Sequence, residues 1–114
     1  MGQMGRLSKL TYAVKEYTEF HQDQNPETLA KLVESEELNA AQFAELKFQQ
    51  SPSSPPQEWL YFPNGTAQGW ILSSPDPINY WGDSRERYLV SYRDGAIDVV
   101  SPSKWKIPSP ATAQ

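Results

Sequence analysis

The sequence predicts an α+β domain: an N-terminal amphipathic helix and two short helices packed on a small antiparallel sheet of about four strands that ends in a β-hairpin. Three observations carry that expectation. Apolar residues recur at helical spacing through the first half. Nine of the ten prolines lie at or beyond Pro52, and all four tryptophans at or beyond Trp59. The second half alternates apolar and polar residues in short runs around an Asp-Gly turn signal. Helices first and strands afterwards is the order of an α+β chain, whereas βαβ units would interleave them.

The first helix is expected over Leu7–Gln22. Leu7, Leu10, Val14 and Tyr17 follow one another at spacings of three, four and three residues, and Ala13 and Phe20 widen the stripe. Lys9, Lys15, Glu16 and Glu19 fall on the opposite face, where Lys15 and Glu19 are placed for a weak i,i+4 pair. A second helix is expected from Asn25-Pro26-Glu27, with Asn25 as cap, Pro26 at the first helical position and Leu29, Leu32 and Val33 buried. Asn39 followed three residues later by Gln42 is a capping box that opens a third helix, Ala40 to about Leu46, with Leu38 closing on Phe43.

Ser51-Pro52-Ser53-Ser54-Pro55-Pro56 cannot continue a helix and reads as a surface connector. Trp59–Phe62 and Trp70–Ser73 follow as strands, the first closed by the turn signal Pro63-Asn64-Gly65. Tyr88–Arg93, Asp94-Gly95 and Ala96–Val100 form the clearest hairpin. A type I′ turn centred on Asp94-Gly95 would pair Tyr92 with Ile97 and Val90 with Val99. That register would turn Tyr88, Val90, Tyr92, Ile97 and Val99 toward the helix, and Ser91 and Asp98 toward solvent.

The 114 residues suit one domain. The expected organisation is an added, vector-derived leader at residues 1–5 and a single domain at 6–106. The domain comprises a helical half (6–48), a Pro/Ser connector (50–57) and a strand half (58–106), and a flexible tail follows at 107–114. Ten Lys and Arg against fourteen Asp and Glu give a charge of −4, which speaks against wrapping nucleic acid. The chain has no cysteine and one histidine, so thiol catalysis, disulfides, Cys-based zinc sites and multi-His metal sites are excluded. No cofactor is expected. No apolar stretch is long enough to span a membrane.

Few residues suggest chemistry. His21 lies one turn beyond Tyr17 and reads as a capping or half-buried imidazole, since neither a nucleophile motif nor a second histidine accompanies it. Asp76, Asp83, Glu86, Asp94 and Asp98 lack the alternating spacing of a calcium loop and read as solvated turn acids. No catalytic and no metal-binding residues can be named. Ile78-Asn79-Tyr80-Trp81-Gly82 is the most suggestive patch. Its loop aromatics Tyr80 and Trp81, with Arg85 and Arg87 beside them, form a candidate interaction surface for a glycan, peptide or protein.

The order of these segments carries a resemblance. A helix is followed by Pro26-x-x-Leu29-x-x-Leu32, then by Trp59-Leu60-Tyr61-Phe62, and finally by Leu89-Val90-x-Tyr92-x-Asp94-Gly95. This resembles the soluble part of bacterial type IV pilin-like proteins, the pseudopilins of type II secretion, over about Leu7 to Trp105. The resemblance implies a non-enzymatic structural subunit on the periplasmic side of the inner membrane. Its partners would be other pilin-like subunits or secretion-system proteins, and its membrane contact would run through an N-terminal apolar helix that this sequence does not contain. A free-standing binding module using Tyr80 and Trp81 is the alternative.

Overall fold

The computed structural model describes residues 3–50, 53–66, 68–79 and 85–105. Tyr80 and Trp81, Asp83, the start of the connector and the tail lie outside them. The helix α1 runs over Gln3–Phe20, about 27 Å at 1.5 Å per residue. It begins before Leu7 and stops short of Gln22 for a local reason. Gln22 and Asp23 adopt left-handed backbone, at φ of 56° and 64°. The Asp23 amide returns to the Thr18 carbonyl at 2.9 Å, the closing bond of a Schellman turn with Gln22 where glycine is usual.

The expected second helix is much reduced. Only α2, Lys31–Glu34, is helical, and Ala30 before it makes no side-chain cap. Asn25 is spent elsewhere: its carboxamide accepts from Thr18 Oγ1 at 2.9 Å and donates to the Pro63 carbonyl. It thereby ties the end of α1 to the turn after the first strand. Leu29 and Leu32 are buried as the spacing requires. In α3, Ala40–Glu45, both arms of the Asn39–Gln42 capping box are formed, at 2.8 and 3.0 Å.

The strands β1 (Leu60–Tyr61), β2 (Trp70–Ser73), β3 (Tyr88–Tyr92) and β4 (Ile97–Val100) form one antiparallel sheet in the order β1-β2-β3-β4. Phe48 and Gln57 exchange backbone bonds of 2.8 and 2.7 Å, so the Pro/Ser segment is a loop whose ends meet. Trp59, one residue outside β1, is buried. Its indole donates to the Leu46 carbonyl at 2.6 Å and its ring meets Phe48 edge-on.

The hairpin lies where expected, but its register is displaced by one residue. Leu89 opposes Val99, Val90 opposes Asp98 and Ser91 opposes Ile97. Of the two central residues only Gly95 takes positive φ, +97°, whereas a type I′ turn needs it at both. Tyr92 N bonds Ala96 O at 2.9 Å, closing a three-residue loop Arg93-Asp94-Gly95. The slip exchanges the faces of β3. Leu89 and Ser91 look toward α1, while Tyr88, Val90 and Tyr92 look away, which corrects the expected assignment; Asp98 faces outward as expected. Ile97 and Val99 pack on the helix side as anticipated.

The main core lies between α1 and the sheet. Leu7, Leu10 and Val14 meet Ile71, Leu72 and Leu89, with Leu32, Phe48 and Trp59 closing the ends. A bulge between Trp70 and Leu72 places Ile71 and Leu72, adjacent in sequence, in that one core. At its centre Thr11 Oγ1 lies 2.6 Å from the Leu7 carbonyl and 2.9 Å from Ser91 Oγ, so this buried hydroxyl pair across the interface is satisfied.

Candidate interaction surfaces

Two faces remain once the core is closed, the outward side of α1 and the outer side of the sheet. Helical geometry places Ser8, Lys9, Tyr12, Lys15, Glu16 and Glu19 on the outward arc of α1, opposite Leu7, Leu10 and Val14. Phe20, expected to widen the buried stripe, stands at its edge as the last residue of α1, where it is left uncovered. Tyr12 and Phe20 are 61% and 76% exposed. The anticipated Lys15–Glu19 pair does not form; among the described residues the ion pair within the chain is Lys31–Glu34, at 3.5 Å. Charge is segregated along α1: Arg6, Lys9 and Lys15 precede Glu16 and Glu19, with no acid in the first turn and no base in the last.

At the C-terminal end of α1 a groove of about 580 Å³ is lined by Glu16, Phe20, His21, Ser35, Glu36 and Glu37. His21 is held as a structural imidazole. Its ring stacks on Tyr17 with centroids 3.8 Å apart, and Nδ1 lies 2.8 Å from the Tyr17 carbonyl. At the other end Arg6 reaches the Lys47 carbonyl at 3.4 Å beside a groove of about 300 Å³ lined also by Glu45, Gln49 and Pro56.

The outer side of the sheet carries the residues that the displaced register delivers. Trp70, Val90 and Val100 form a second, smaller cluster with Tyr92 and Trp105 against it. Residues after β4 turn back so that Trp105 lies flat on Tyr88, 3.9 Å between centroids and 6° between planes. The Trp105 indole donates to Ser73 Oγ at 2.7 Å. Burial, followed by the Asp76 and Glu86 carboxylates, raises the Tyr88 phenol above its ordinary acidity value. Beside this cluster the Trp70 indole points to Tyr92 Oη at 3.3 Å, which in turn lies 3.4 Å from Asp98 Oδ2.

Of the four residues singled out from sequence, Arg85 is exposed and Arg87 half-buried. Arg87 pairs with Ile78 through two 2.7 Å backbone bonds and lines an open groove of about 570 Å³ with Trp70, Tyr92, Asp98 and Lys104. Tyr80 and Trp81 belong to the segment outside the described residues. The acids are dispersed: Asp76 accepts from Gln57, Asp94 from the Ala96 amide and Asp98 from the Val99 amide. Among the described residues no three His, Cys, Asp or Glu side chains gather to hold a metal ion, and no helix is long and apolar enough to cross a membrane.

Trp105 went unmarked in the sequence because a lone tryptophan after the last strand has no periodicity to place it. The signal that would have found it is the face of β3 turned from the helix: Tyr88, Val90 and Tyr92 need an apolar cover, and Trp105 is the next large apolar side chain beyond β4. Comparison with protein-family models, curated proteins and solved structures found no match.

Proposed function

We propose that the chain is the globular part of a pilin-like subunit, a non-enzymatic protein that works by packing against other subunits or secretion-system proteins in a secretion or pilus-type fibre on the periplasmic side of the inner membrane. The observation that carries this reading is the placement of α1. A single long helix lies along a four-stranded antiparallel sheet, buries Leu7, Leu10, Ala13 and Val14 and leaves Tyr12 and Phe20 uncovered. The segments that carry the family resemblance occupy supporting positions. Leu29 and Leu32 brace the core beside α1, and the Asp94-Gly95 hairpin completes the sheet.

The absence of cysteine makes the test direct, because a single introduced thiol reports one position. Phe20→Cys, placed in the native gene of the producing cell, is treated with a bismaleimide before fractionation. The reading requires adducts with a pilin-like subunit in the membrane or fibre fraction, and a run of about 20 apolar residues encoded upstream of α1. Free monomer without adducts, from a gene that encodes no such run, would sink it.

A further inference from the structure

We propose that Asn64 is a site of spontaneous covalent modification. Its carboxamide loses ammonia through a succinimide formed with the Gly65 nitrogen, and the resulting isoaspartate releases the tie between Asn25 and the Pro63 corner. This chemistry is independent of the subunit reading.

The sequence holds four asparagines, and their settings differ. A succinimide needs an unrestrained carboxamide, a following backbone nitrogen that carries a proton, and little bulk on the next residue. Asn25 fails twice, because Pro26 has no N–H and because Thr18 and Pro63 hold the carboxamide. Asn39 is followed by Ala40 in the first turn of α3, and its side-chain oxygen is occupied by the Gln42 amide at 2.8 Å. Asn79 is followed by the bulky Tyr80. Asn64 meets all three conditions. It is exposed, no hydrogen bond among the described residues holds its carboxamide, and Gly65 follows with no side chain.

The corner supplies the freedom to react. Gly65 takes φ of +77°, and a Cβ there would meet only the Trp70 carbonyl, at 4.0 Å. The Gly65 amide donates to the Phe62 carbonyl at 2.9 Å, and this bond must open before the nitrogen can turn to Asn64 Cγ. It lies just beyond β1, a strand of two residues, where local opening costs little. Thr66 is pinned to Trp70 by bonds of 3.1 and 3.0 Å, so the opening stays confined to the turn.

Solvent base takes the Gly65 amide proton, the nitrogen bonds to Cγ, and the carboxamide C–N bond breaks as ammonia leaves. Water then opens the ring. Attack at Cγ leaves aspartate, whereas attack at the main-chain carbonyl carbon leaves isoaspartate, whose main chain runs through the former side chain and is longer by a methylene. Either product adds a carboxylate to a groove of about 610 Å³ that already holds Asp23 and Glu27 with Arg93. The longer main chain draws the Pro63 carbonyl from Asn25 Nδ2 and leaves the end of α1 without its brace.

The intact chain is aged in mildly alkaline buffer beside a urea-unfolded sample. Each asparagine is followed by fragment-ion mass spectrometry, and a protein-isoaspartate methyltransferase counts the isoaspartyl product. The folded chain is expected to gain the amide-to-acid mass at Asn64 at least several-fold faster than at Asn25, Asn39 or Asn79, and faster still as pH rises. Asn64→Gln, which keeps an amide but closes its ring far more slowly, is expected to abolish the methylation. In the isoaspartyl form, separated by anion exchange, hydrogen exchange at the Asp23 amide, which closes the turn after α1, should rise several-fold over the unaged chain. Earlier reaction at any other asparagine, or an Asn64 that reacts only when unfolded, would overturn the site. Isoaspartate at Asn64 with unchanged exchange at Asp23 would overturn the release of the tie.

Discussion

The two sides of the sheet are built from the same four strands and are closed in different ways. The inner side is covered by eighteen residues of α1, which contribute Leu7, Leu10 and Val14 to a core continuous from Leu32 to Leu89. The outer side is covered by the few residues after β4, and chiefly by one ring, Trp105 on Tyr88. A helix distributes its hold over many interdigitated side chains, whereas a single stacked tryptophan concentrates it in one. The contrast teaches that stability and adaptability are separated in this molecule by the thickness of one sheet.

The comparison breaks most sharply at Leu10, which is 1% exposed. Leu10→Ala is expected to lose about 2–5 kcal/mol in urea unfolding, because transfer and cavity costs add where the surroundings cannot collapse. Trp105→Ala on the other side should lose only about 1–2 kcal/mol, the stacking and partial burial of one ring. It should also accelerate amide exchange in β3 and β4 while leaving α1 protected. Equal losses at the two positions would erase the distinction between the faces.

Ser91→Ala should cost about 1–2 kcal/mol, since it strands one partner of the buried Thr11–Ser91 contact, and a cycle with Thr11→Val should return part of that as coupling. The smallest effect concerns two tyrosines. Tyr61, on the inner side, donates to the Pro26 carbonyl at 2.6 Å, and burial drives its phenol well above the ordinary value of 10.0. A raised folded value means that this contribution is complete below pH 10.0 and is lost as pH climbs beyond it, because the unfolded phenol ionises first. Tyr61→Phe should flatten the alkaline slope of stability, and Tyr88→Phe should flatten it less, Tyr88 being shifted in the same direction at the more open face.

Local signals were legible and longer-range ones were not. The Asn39–Gln42 capping box, the four strand positions and the Asp94-Gly95 turn could be read because each depends on residues within a few positions of one another. The register of the hairpin could not, since a type I′ turn and a three-residue loop share the same Asp-Gly signal and differ only in whether Asp94 adopts positive φ. Asn25 misled for a related reason. Its carboxamide suits a helix cap, yet Thr18 and Pro63, brought near by the fold, compete for it and win. At the surface, the exposure of Tyr12 and Phe20 follows from which side of α1 the sheet covers, and α1 alone does not decide that.

The Asn25 tie also determines how this molecule answers a mechanical load. A tensile force along α1 would ordinarily peel a surface helix from its end, one contact at a time. Here Thr18, two residues before the last of α1, is fastened through Asn25 to the Pro63 corner where β1 has just ended. The last turn is therefore braced sideways, and a pull on the helix is transmitted as shear across the whole apolar seam. Seams loaded in shear yield all at once, so the unit would extend little under rising force and then give way in a single step.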